Sequence, residues 1–283
     1  MKIIKYLTLS IVAFTFLFSC SSDDVTGSET QQQLMFSGNF FPLTIADSWS
    51  YDVINTDNTT NEVTTSEDVL VVESESSTGF TLSANANQGG IANGTMSGIL
   101  TTGELTRTNT TLATNLNISL PLDGFDFDIE LENALLYNTQ ASNGDQLSLN
   151  TGIFTQDFEG YPITINYALK SKQLGNLTSL EVEGTTYNTV TSANISLELS
   201  VSTTVTAFGF TQTVSILDAQ DVLSIDSFYA ENVGLIKAEA DTSYTLNPTT
   251  LGLLQQAGVD LSLLPTSMSV QNTQSLTSYN ITE

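Results

Sequence analysis

Histidine is absent from this 283-residue chain, cysteine occurs once, and basic residues number six against 31 acidic ones. Without imidazole there is no Ser-His-Asp triad, no histidine-ligated zinc and no imidazole base. Glycine-rich phosphate loops of either nucleotide-binding kind are missing too. Acidic residues are plentiful enough for a two-carboxylate glycosidase, whose critical separation is spatial, but no spacing singles out a pair. The chain is therefore read as a non-enzyme that needs no cofactor.

Long apolar runs are equally scarce. The longest, Ile11 to Phe18, is interrupted only by Thr15, follows the positive Lys2 and Lys5, and is followed by small Ser19 and the lone Cys20. It is too short and too early for a spanning helix of ~20 apolar residues, so residues 1–19 read as a secretory signal. Its removal leaves four basic residues against 31 acidic ones, a formal charge of −27. Such a surface repels phosphate backbones and anionic lipid heads, which excludes nucleic acid as a partner. A hydrophobic fraction of 40% is nevertheless too high for disorder.

What is present is strand. Thr, Val, Ile and Tyr alternate with polar residues after Phe40, and clusters of Asn, Gly, Asp and Ser break the pattern about every dozen residues. Trp49, Tyr51 and Val53 share one face, as do Phe80, Leu82, Ala84 and Ala86, and Ile163, Ile165, Tyr167 and Leu169. Asp57-Asn58 and Gly89-Gly90 read as turns, and Asn143-Gly144 as a tight hairpin loop. The pattern predicts an all-β fold, a large curved antiparallel sheet of about a dozen strands, because a flat sheet of that size exposes its edges. One short C-terminal helix is expected: Asn247 caps it, Pro248 takes its first position, and Gly258 ends its first stretch. Leu251, Leu253, Leu254, Leu261, Leu263 and Leu264 then cover the open mouth or edge of the sheet, and a last strand runs from Met268 to about Ile281.

One segment carries a candidate chemistry. Asp126 to Glu132 alternates four carboxylates with three apolar side chains, and like charges two residues apart favour a hard cation. With a wrap from the turn at Gly124, Asp123, Asp126 and Asp128 form a candidate Ca²⁺ site; the alternative is an exposed acidic strand face. Trp49 and Tyr51 read as core anchors rather than ligand platforms, Gly234 as the residue that permits a turn or bulge after Asn232, and Lys237 as the partner of a carboxylate.

Three resemblances add to this reading. Leu17-Phe18-Ser19-Cys20 resembles a bacterial lipobox, which implies cleavage before Cys20 by lipoprotein-processing machinery and acylation of its thiol. Several acyl chains anchor stably where one binds only marginally, and the lipidated thiol is lost to nucleophilic chemistry. Ser21-Ser22-Asp23-Asp24 resembles the export tag of surface lipoproteins in flavobacterial-type outer membranes, which implies an outward-facing anchor. Phe41-Pro42-Leu43, Trp49-Ser50-Tyr51, Gly184 to Val190 and Tyr229 to Lys237 are similar, in order and spread, to a β-rich family of bacterial lipoproteins without an established reaction. That family usually has glycine where this chain has Ala46. The resemblance implies a half-barrel like those of lipoprotein carriers.

The expected organisation is a signal at 1–19, a lipidated tether at 20–39 and one β-rich domain at 40–283. The expected role is that of an outer-membrane lipoprotein facing the cell exterior, a non-catalytic binding or carrier module for an apolar molecule or a glycan. A structural or adhesive envelope protein is the alternative. Cys20→Ala is expected to move the protein from the membrane fraction to the soluble fraction; retention in the membrane pellet overturns the lipid anchor.

Overall fold

The alternation in β1 (Ser48–Asp57) separates inside from outside: Trp49, Tyr51 and Val53 are fully buried, while Asp52 and Ile54 face solvent. The computed structural model describes residues 34–119, 128–158, 161–207, 210–256 and 265–282. After β1 come β2 (Glu62–Glu75), β3 (Phe80–Ala84), α1 (Thr95–Thr102), β4 (Leu105–Arg107), β5 (Thr111–Ser119) and β6 (Asp128–Asn138). The second half comprises β7 (Gln146–Phe158), β8 (Tyr161–Val182), β9 (Thr185–Ala207), β10 (Phe210–Ala230), β11 (Gly234–Thr245), α2 (Pro248–Gln256) and β12 (Ser267–Asn280).

The strands form one 12-stranded antiparallel sheet in the order β6-β5-β4-β3-β2-β1-β12-β11-β10-β9-β8-β7. It is the expected all-β curved sheet, curled until its two edges meet and the barrel is nearly closed. Sequence neighbours pair throughout except at one place, and one pair joins strands remote in sequence. The first and last strands pair in the middle of the sheet, from Ser48↔Asn280 to Asp57↔Val270. Consecutive β6 and β7 form the two edges, and between them lies a seam without a backbone ladder.

The seam corrects one expectation. Asn143-Gly144 does turn the chain, with Gly144 at φ 89°, but the strands it joins do not pair as a hairpin. The turn is tied to β8 instead, where Gly144 N–H donates to the Gln173 carbonyl (2.8 Å) and Gln173 N–H donates to Asp145 O (2.9 Å). Side chains stand in for the missing ladder. Ser148 Oγ accepts from Leu135 N–H (2.9 Å), Gln173 Oε1 accepts from Asn138 N–H (2.9 Å), and Asn150 Nδ2 donates to Glu130 O (2.5 Å). Each bond quiets a backbone group that an open edge would leave unpaired.

Helix α1 was not anticipated. Its only sequence signal is a short apolar set, Met96, Ile99 and Leu100, flanked by Gly94 and Gly103, and the cap residue Gly94 has no side chain to offer. The caps come from the sheet. Asp68 on β2 is fully buried and accepts from Asn93 N–H and Gly94 N–H at 2.8 Å each, and from the Asn85 amide at 2.8 Å. From β12, Asn272 Oδ1 takes Thr95 N–H (3.0 Å), and Gln274 Oε1 takes Met96 N–H (2.8 Å) and Ser97 N–H (3.1 Å). These are the N–H groups a helix start leaves without partners. A side chain at position 94 would collide with Gln274.

At the opposite end of the strands, residues 34–39, which the sequence assigned to the tether, lie against the barrel. Gly38 N–H donates to Asn109 O (2.9 Å), and Phe36 stacks on Phe40 at 6.1 Å. Phe40 and Phe41 are fully buried, and Phe41 stacks on Trp49 at 5.0 Å. Trp49 Nε1 donates to Val233 O (2.6 Å) and the Tyr51 hydroxyl to Leu235 O (3.0 Å), so both serve as core anchors. Gly234 has φ 108°, and a Cβ there would lie 3.0 Å from the Trp49 indole nitrogen. Helix α2 begins as expected, with Asn247 Oδ1 accepting from Thr249 N–H (3.1 Å) and Thr250 N–H (3.2 Å). Leu251 and Leu254 are buried where it meets β10, and Leu253 is 48% exposed; Gly258, Leu261, Leu263 and Leu264 lie outside the described residues.

Ala46 keeps the left-handed geometry that glycine would provide, at φ 76°, with Asp47 N–H closing the turn on Thr44 O (2.9 Å). An L-residue there costs about 1–2 kcal/mol, part of which glycine returns as unfolded-chain entropy. Ala46→Gly is therefore expected to stabilise the fold by roughly 0.5–1 kcal/mol in chemical denaturation. An unchanged or lower midpoint refutes the strain.

Candidate functional site

The expected site residues fall mostly outside the described part of the molecule. Cys20, Asp123 and Asp126 lie outside the described residues, and Asp128 opens β6 with its side chain outside them as well. Further along β6 the alternation holds: Ile129 is buried, while Glu130 and Glu132 are exposed. Among the described residues no group of three or more acidic or thiol side chains could hold a metal ion. Among the described residues the two fully buried carboxylates are structural, since Asp68 caps α1 and Asp47 accepts from Thr44 N–H (2.9 Å) and Thr282 N–H (2.7 Å).

The interior offers apolar walls and a few unsatisfied hydroxyls. Phe40, Phe41, Trp49, Tyr51, Met96, Leu100, Tyr137 and Tyr229 belong to one continuous cluster, with the Tyr137 and Tyr229 rings 4.9 Å apart. The hydroxyls of Thr114, Tyr137 and Ser171 are buried without a hydrogen-bond partner. Burial holds the Tyr137 phenol well above its ordinary pKa, with Tyr229 adding to the shift and Arg107 opposing it. Burial raises Tyr229 likewise, eased by the Ser227 hydroxyl. Arg107 itself is spent on the N-terminal segment, donating to Asn39 Oδ1 (2.8 Å) and Phe41 O (3.1 Å).

The outer wall carries a depression of about 280 Å³ across β7 to β10, lined by Gln146, Lys170, Lys172, Asn194, Ser196 and Asp221 among others. Strand register builds it. Gln146 pairs with Lys172 and Lys172 with Asn194, so three long polar side chains form one cross-strand row. Lys170 and Ser196 pair in the next row on the same face. Lys170 Nζ reaches Glu198 at 2.8 Å, and that hydrogen bond raises its pKa against a smaller desolvation effect. Asn194 spends its amide nitrogen on Asp226 Oδ1 (2.7 Å) and Ser224 Oγ (2.9 Å), which leaves its carbonyl oxygen as the acceptor. Lys172 pairs with no described carboxylate. Sequence reasoning passed over this row, although two of the four basic residues retained after the signal stand two apart in one strand.

Neither a family model, nor a curated protein, nor a solved structure matches the chain. No described helix is long and apolar enough to cross a membrane.

The unpartnered phenol of Tyr137 has a measurable signature. A buried hydroxyl without a partner costs about 1–3 kcal/mol, so Tyr137→Phe is expected to raise the unfolding midpoint of the unliganded protein. A destabilised Phe variant means instead that a water or ligand satisfies the phenol.

Proposed function

We propose that this chain is a lipid-anchored envelope protein whose barrel is a non-catalytic binding module for a glycan, held on the outer wall rather than in the interior. One observation carries this reading: the described interior is occupied by α1 and the aromatic cluster, whereas the outer depression presents hydrogen-bonding side chains to solvent. Sugars need several convergent donors and acceptors, and Gln146, Lys172, Asn194 and Ser196 supply both kinds. The anchor and the outward orientation follow from the lipobox-like Leu17 to Cys20 and the acidic tag behind it.

Carriage of an apolar molecule in the barrel is the competing role, and mass spectrometry of natively purified protein tests it directly. A glycan array probed with the intact protein is expected to show binding that Ser196→Tyr abolishes without lowering the unfolding midpoint, because the new ring occupies the depression. A retained apolar molecule, or an array silent for the native protein, overturns the glycan reading; silence on both counts leaves the structural role.

A further inference from the structure

We infer that the depression on β7 to β10 selects an acidic sugar, a hexuronate or a close analogue, and that Lys172 receives its carboxylate. The inference rests on the proposed glycan binding and adds the ligand's charge and orientation.

Charge pairing leads to Lys172. In a chain with 31 acidic residues, every cation has abundant partners. Lys237 takes Glu239 at 2.8 Å, Lys170 takes Glu198 at 2.8 Å, and Arg107 is held by Asn39 and a backbone carbonyl. Lys172 alone among the described basic side chains has no such partner, and it is exposed on the wall of the depression.

The nearby acids are spoken for or distant. Asp145, next to Gln146, accepts from Ser142 N–H at 2.7 Å. Asp226, in the Lys172 row, is two strands away and accepts from Asn194. Asp221 also lines the depression, but it pairs with Glu198, four residues along β9 from the partner of Lys172. Strand spacing of ~4.8 Å and a rise of ~3.4 Å per residue put the Cα atoms of Lys172 and Asp221 roughly 17 Å apart, and no ion pair joins them.

Lys172 and the Gln146 amide, neighbours in one row, donate to a carboxylate. Ser196 on β9 and Asp221 on β10 accept from hydroxyls. A neutral sugar leaves Lys172 without a partner. Remote negative charge over the rest of the molecule is screened, so local donors decide selectivity.

Calorimetric titration of the intact chain with digalacturonate and with its neutral counterpart galactobiose tests the inference. The acid is expected to bind more tightly and to weaken as salt rises. Lys172→Gln is expected to weaken the acid about two- to five-fold, the range of an exposed ion pair, while leaving galactobiose unaffected. Lys237→Gln, a lysine on β11 outside the depression, is the control and should change neither. Equal binding of the two sugars, or acid binding indifferent to Lys172→Gln, overturns the acidic selectivity and leaves glycan binding standing. If neither sugar binds, this inference falls, and a silent array would then remove glycan binding as well.

Discussion

Asp68 is the contact on which the architecture turns. Its carboxylate, fully buried on β2, gathers the Asn85 amide and the backbone of Asn93 and Gly94, fixing the loop that leads into α1. Gln274 and Asn272 on β12 complete the same job from the other side of β1. A sheet of this curvature encloses a volume that side chains alone fill poorly, and α1 brings Met96, Ile99 and Leu100 into it. A short helix without its own cap would not persist in isolation. It persists here because three strand side chains replace the water that would otherwise satisfy its first N–H groups.

The seam applies the same solution elsewhere. Where β6 and β7 fail to pair, Ser148, Asn150 and Gln173 reach across to backbone groups. The barrel thereby has eleven backbone ladders and one junction made by side chains. The edge strand β7 also carries Gly152 opposite Tyr167, whose ring occupies the space a Cβ would need. A glycine at an edge is thus covered by its neighbour's aromatic ring, which limits the exposed backbone a passing strand could find.

Much of the fold was legible because strand periodicity is a local signal. Trp49, Tyr51 and Val53 announced the inner face of β1, and Asp57 announced the first turn, where its carboxylate accepts from Thr59 and Thr60 N–H groups. Asn247 and Pro248 marked α2 for the same reason. Helix α1 was illegible because its caps lie on Asp68, Asn272 and Gln274, remote in sequence. Asn143-Gly144 misled because a turn motif reports the turn and not which strand its flanks will pair with. The candidate depression escaped notice since it depends on register between four strands, and a register is invisible until the strands are aligned.

The pairing of β1 with β12 has a bearing on how the molecule is made. Ser48 meets Asn280, Trp49 waits for the carbonyl of Val233, and Asp47 is bonded to Thr282. Contacts this distant along the chain are slow to form. Until β12 is made β1 has one unpaired edge, although the Val233 carbonyl that Trp49 reaches precedes β12 in the chain. A sheet whose centre is the pairing of β1 with β12 opens in its middle, and not at an edge, when β12 is lost.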